Sequence, residues 1–199
     1  MEKLRSNLLG CRFALYPMSD NYAEIILGAL EKTDTSKVWE KMDMMSTLYV
    51  GEQEHLLDCI SAVFRHTWRE TLHFGGEFTF SRITESSHLF LEELSNFEST
   101  LNNSSTAHLG KFPAYARAAI YAANKEETFM LTESIEKLAK KRGLQPKRTP
   151  MTIMLKGSSN SLFSFFDEIL TLSGKLTESY TLCTSVSANS PTSVDWNAL

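Results

Sequence analysis

The chain has 199 residues, of which 42% are hydrophobic, 11% aromatic and 22% charged, the make-up of an ordinary folded protein rather than a disordered or fibrous one. That length holds one large domain or two small ones of roughly 70 to 100 residues, each able to bury a core. The formal charge of −4 and an isoelectric point near 5.8 argue against a nucleic-acid binder, which needs a basic face.

The charge is unevenly spread. Residues 11–82 carry 7 Lys/Arg and 11 Asp/Glu, net −4, whereas residues 112–190 carry 10 and 7, net +3. Cys11, Cys59 and Cys183 are widely spaced within apolar patterns, which fits reduced, buried thiols better than a disulfide framework or a zinc site. The opening "MEKLRSNLLG" lacks the apolar run of a signal peptide, and no 18-residue uncharged apolar stretch occurs. The expected location is cytoplasmic.

In chain order, "CRFALYPM" alternates Cys11, Phe13 and Leu15 against Arg12, Ala14 and Tyr16, the period of a half-buried strand, and Pro17 ends it. Tyr22, Ile25, Ile26, Ala29 and Leu30 follow at helical spacing, with Ser19 or Asp20 placed to cap the N-terminus. "SKVWEKM" and "MSTLYV" predict a hairpin around Asp43, closed by Gly51. Leu56, Leu57, Ile60, Val63 and Phe64 mark an amphipathic helix running to about Arg69. "LHFGGEFTFS" returns to alternation, with Phe74, Phe78 and Phe80 on one face and Glu77, Thr79 and Ser81 on the other. Residues 83–111 form a connection with a short acidic helix at its centre and flexible linker material in "NNSSTAHLG".

The order of features then returns. "RFALYPMSDNYAEIILGALE" from Arg12 aligns with "RAAIYAANKEETFMLTESIE" from Arg117, pairing Tyr16 with Tyr121 and Glu31 with Glu136. "STLYVGEQEHLLDCISAVF" from Ser46 aligns with "TIMLKGSSNSLFSFFDEIL" from Thr152, pairing Gly51 with Gly157. Two blocks at nearly one offset make a repeat. The fold class is therefore α+β, two tandem ferredoxin-like βαββαβ units at 10–82 and 112–190, with an irregular tail at 191–199. Each unit has a four-stranded antiparallel sheet covered by helices on one face. The bare face needs cover from the sister unit, an oligomer or a ligand.

The run "FALYPMSD", then "EKTDTSKVWEKMD", "STLYVG" and the late "SVSANSP" resemble the YkoF family of thiamin and hydroxymethylpyrimidine binding proteins, over nearly the whole chain. The resemblance implies a homodimeric, non-catalytic protein of the cytoplasm, without a cofactor. It would bind thiamin through its pyrimidine and be tied to uptake or salvage, beside a membrane transporter for thiamin precursors. A ligand-sensing regulator or a small enzyme of pyrimidine salvage using the same pocket is the alternative.

An aminopyrimidine needs a carboxylate or carbonyl to accept from its amine, a hydroxyl or amide to donate to its ring nitrogens, and apolar walls. The thiazolium of thiamin suits aromatic faces and carboxylates. By alternation, the uncovered face of the first unit carries Arg12 and Tyr16, Thr47 and Tyr49, and Glu77, Thr79 and Ser81, with Ser36 or Trp39 added by the second strand. Glu77 is assigned as acceptor of the exocyclic amine, Ser36, Thr47 and Ser81 as further polar contacts, and Tyr16 or Trp39 as stacking wall. Without the family, a sheet-face Glu is more often solvated or paired with an Arg such as Arg12, and Tyr16 and Trp39 are more often packing residues. A weaker second site would hold Arg117, Tyr121, Cys183, Ser185 and Ser187, with a cysteine where the first unit has Glu77. The basic cluster Lys140, Lys141, Arg142, Lys147 and Arg148 reads as a solvated helix end more than a phosphate site. The five histidines show no metal-ligand spacing, and GxSxG, Walker and GxGxxG patterns are absent from the sequence.

Overall fold

The computed structural model describes residues 8–83, 94, 98–192 and 195–196. The first unit runs β1 (Leu8–Pro17), α1 (Tyr22–Glu31), β2 (Trp39–Met42), β3 (Thr47–Glu52), α2 (Gln53–Thr67) and β4 (Phe74–Arg82). The second runs β5 (Pro113–Ala122), α3 (Lys125–Lys141), β6 (Lys147–Thr149), β7 (Thr152–Ser158), α4 (Ser159–Leu176) and β8 (Tyr180–Ala188). Both are α+β units of the βαββαβ order. The acidic helix expected in the connection lies outside the described residues. Ser104–Lys111, expected as loose linker, is a 3-10 helix. Asn103 before it is buried, its backbone N–H donating to Asp58 Oδ2 at 2.8 Å and its side chain bonding both backbone groups of Asp34.

The hairpin around Asp43 forms as the sequence indicates. Asp43 Oδ1 accepts from the N–H groups of Met45 and Ser46, so the side chain does what a turn needs. The cap of α1 differs from expectation: Asn21 is the N-cap residue and gives no side-chain bond to the helix, while the Ser19 hydroxyl accepts from the Asn21 N–H. Of its apolar residues only Ala29 is buried, and Tyr22 and Leu27 are exposed.

The sheet order is β2-β3-β1-β4-β8-β5-β7-β6, a single eight-stranded antiparallel sheet. The units are therefore joined edge to edge through β4 and β8, and neither covers the other's bare face. Phe78 and Thr184, each fifth of nine residues in its strand, pair with one another across this seam. A pseudo-twofold axis relating the repeats passes between them.

Edge pairing puts α1, α2, α3 and α4 on one side and runs one core beneath them. Phe64 of α2 lies 4.6 Å from Phe74, 5.9 Å from Phe78 and 5.3 Å from Phe163 of α4, centroid to centroid, so aromatic packing crosses the seam. On the other side, one corner of the sheet is covered among the described residues by Leu94 of the connection, which joins Leu8 and Val50, with Trp39, Leu48 and Ile83 packed around them.

A candidate ligand groove at the seam

Cross-strand partners share a face, so the pairing register decides which side chains meet on the open side. Glu77, Ser185, Arg117 and Met154 are successive partners across β4, β8, β5 and β7. One row nearer the strand ends, Tyr16, Gly75, Ser187, Tyr115 and Lys156 do the same. These two rows, without Lys156 at the end of the second, floor a groove of about 590 Å3, with Trp196 and the tail residues Ser190 and Thr192 on its rim.

Each repeat contributes half. Tyr16 and Glu77, expected in the first site, are brought together with Arg117, Ser185 and Ser187, expected in the second. The reason is the seam: because β4 pairs with β8, the acid of one unit faces the arginine and serines of the other.

Tyr16 Oη donates to Glu77 Oε2 at 3.4 Å. Burial first, then the Glu77 charge and hydrogen bond, push the Tyr16 phenol above its ordinary value, so it keeps its proton and remains a donor. Arg12 is not the partner of Glu77, because it is held by Asp43 at 2.6 Å and by the Ser46 hydroxyl at 2.8 Å. His73 Nε2 lies 3.2 Å from Ser187 Oγ and fixes that hydroxyl on the groove floor. Tyr115 and Trp196 pack at 5.6 Å between centroids and wall the far side. Gly75 leaves the floor without a side chain between Tyr16 and Ser187.

The tail reaches the rim through Asn189. Its backbone adopts φ 54°, and its side-chain amide donates to the carbonyls of Arg69, Glu70 and Leu72 at 2.8, 3.1 and 3.0 Å. That turn carries Ser190, Thr192 and Trp196 back over the sheet.

The other expected residues lie elsewhere. Tyr49 and Thr47 are on the helix side: their partners are Cys11 and Phe13, and Tyr49 is 1% exposed with its ring edge on Phe13 at 5.0 Å. A shift of one residue in β3 separates this from the expected face. Leu48 and Val50, on the other face, are equally apolar because Leu94 covers that corner, so the strand offers no contrast to read. Ser36 precedes β2 in a turn, donating to Asp34 and accepting from Asn102. Trp39 packs in the Leu94 corner. Thr79 is open to solvent, and Ser81 donates to the Tyr180 carbonyl across the seam. Tyr121 lines a separate hollow of about 550 Å3 with Phe129, Arg148 and Met151. Cys183 is half-buried beside Thr79 and Ala119.

By the pseudo-symmetry, the counterpart of the groove is the end of the open face holding Gly10, Arg12, Thr79, Ser81, Cys183 and Tyr121. There the Tyr115 position is Gly10, and Ile83 Cδ1 lies only 2.8 Å from where a Cβ on Gly10 would stand. Ile83 occupies the wall space and Cys183 replaces the acid. Sequence reasoning missed Tyr115, Met154, Gly75 and Trp196. Tyr115 was within reach, since it alternates with Arg117 and Tyr121; Trp196 stands in a polar tail with no periodicity to place it.

Two joined ferredoxin-like units thus carry between them an aromatic-walled groove of small-ligand size. The model of the YKOF-related Family matches residues 8–86 and 114–193. A protein of Bacillus subtilis (strain 168) named "Putative HMP/thiamine-binding protein YkoF" is 31% identical over 186 residues, covering 94% of this chain and 92% of that protein. The chain belongs to the YkoF-related family.

Proposed function

We propose that the chain binds thiamin or its hydroxymethylpyrimidine half in the seam groove without altering it. The observation that carries the reading is the Glu77 carboxylate, bonded by Tyr16 and set in a groove walled by Tyr115 and Trp196. The carboxylate accepts from the exocyclic amine, the Ser185 and Ser187 hydroxyls serve the ring nitrogens, and the aromatic wall takes the thiazolium. The name of the Bacillus relative supports the ligand class. No cofactor is needed for such binding. A second copy laid over the open face would close the groove, which favours a homodimer. The free cysteines suit a cytoplasmic protein, delivering or receiving ligand for uptake or salvage beside a transporter. Among the described residues no helix is long and apolar enough to cross a membrane.

A catalytic reading draws on the Ser187–His73 pair. A serine nucleophile also needs its base oriented by a third group, and no carboxylate bonds His73 among the described residues.

Isothermal titration with thiamin and with hydroxymethylpyrimidine tests the proposal. Losing a hydrogen bond to a charged group is worth about 1.5–3 kcal/mol, so Glu77→Gln is expected to weaken binding by roughly 10- to 150-fold. Unchanged affinity overturns the assignment, and recovery of a cleaved ligand by mass analysis overturns the non-catalytic role.

A further inference from the structure

The two repeats differ at one position that decides the charge of the groove. Arg12 and Arg117 are equivalent, each the fifth residue of its strand, and each lies beside the β7-type strand at the same register, opposite Leu48 and Met154. Arg12 is neutralised by Asp43 on the adjoining hairpin. The position equivalent to Asp43, which closes the β6–β7 hairpin, is Thr149, and its hydroxyl turns inward to the Thr152 carbonyl and hydroxyl. Arg117 therefore lacks the aspartate that holds its twin, and it makes no ion pair or hydrogen bond among the described residues.

Arg117 lines the seam groove two strands from Glu77, on the same row, about 10 Å away at ordinary strand spacing. On its far side the open face carries Lys156, over the Tyr115 ring at 5.8 Å, and Lys147, the partner of Met154. The groove thus has an acidic pole supplied by the first repeat and a cationic pole supplied by the second, bridged by Ser185. An unphosphorylated aminopyrimidine alcohol uses only the first.

We propose that the groove is built for a phosphate ester of the aminopyrimidine, with the amine at Glu77 and the phosphate at Arg117. This rests on the binding role proposed above and names the ligand class within it. Guanidinium matches a phosphate with two parallel hydrogen bonds, and in a walled groove that contact is screened less than at an open surface.

The test is calorimetry on the full chain with four ligands: thiamin, thiamin monophosphate, hydroxymethylpyrimidine and its monophosphate. Each ester is expected to bind at least about tenfold tighter than its parent alcohol, and the pair with the larger ratio identifies the source of the phosphate. Two variants remove the preference by different means. Arg117→Gln deletes the cation, and Thr149→Asp installs the aspartate that silences Arg12. Both are expected to bring ester and alcohol within about twofold of one another, and Thr149→Asp, which lies outside the groove, is expected to leave the alcohols at their wild-type affinity. Equal affinity of esters and alcohols for the wild-type chain, or a preference that survives both variants, overturns the phosphate proposal and leaves the binding role intact. Failure of all four ligands to bind overturns both.

Discussion

At the scale of single residues, the groove depends on what stands at Gly75. A Cβ there would meet only the Val186 carbonyl at 3.5 Å, ordinary contact, so a side chain fits the fold but projects into the groove between Tyr16 and Ser187. Gly75→Val is expected to unfold within a few degrees of wild type and to lose ligand binding in titration; retained binding would show that the ligand sits elsewhere. Gly76, on the opposite face, behaves differently, since a Cβ would lie 2.8 Å from the Phe78 ring and crowd the core. Alternation in the sequence is enough to place Tyr16, Glu77, Arg117, Ser185 and Ser187 on the open face. It failed at Thr47 and Tyr49, where both faces of β3 are apolar and a one-residue slip exchanges them. It also divided these five residues between two sites, whereas they line one groove, because nothing local to a strand says which edge it will share.

Among elements, the β8 end and its Asn189 turn hold the rim in place. Two faults are separable there. Asn189→Gly removes three hydrogen bonds but tolerates the positive φ, whereas Asn189→Ala removes the bonds and adds the cost of a left-handed backbone, about 1 kcal/mol or more. The Ala variant is expected to be the less stable of the two in chemical denaturation by about 1 kcal/mol, and both are expected to bind ligand more weakly than wild type. Equal stability of the two would remove the backbone argument. The order of elements was legible in the sequence, because the strand period of two and the helix period of 3.6 each repeat at their offset. The 3-10 helix at Ser104–Lys111 was not, since its anchor is the burial of Asn103 against Asp58 and Asp34, a contact that only the folded chain makes. The basic cluster also resolves at this scale: Lys140, Arg142 and Arg148 are each paired with glutamates, at Glu136, Glu168 and Glu133.

Across the whole molecule, shared core and shared sheet make stability a property of both repeats together. Its pH dependence has a definite sign. His66 is pushed below its ordinary value of 6.5 by burial first and then by Lys32, Arg69 and Arg65. Asp34 is held below its ordinary 3.8 by the Ser36 hydroxyl and N–H, with Asn102 and Lys37 adding to the effect. In both cases the unfolded chain takes up the proton before the folded one does, so the contribution is complete above the ordinary value and lost as pH falls below it. The Tm is expected to be flat between about pH 7 and 8, to decline below about 6.5, and to fall again below about 3.8. His66→Gln should flatten the first decline; a Tm that rises on acidification from neutrality contradicts the assignment.

The proposed function rests on one binding site assembled from both repeats across the β4–β8 seam. A crystal structure with thiamin bound tests it most directly. The aminopyrimidine is expected against Glu77 and Tyr16, with Ser185, Ser187 and Tyr115 in contact with the same molecule. A ligand held entirely by residues of one repeat, away from the seam, would contradict it.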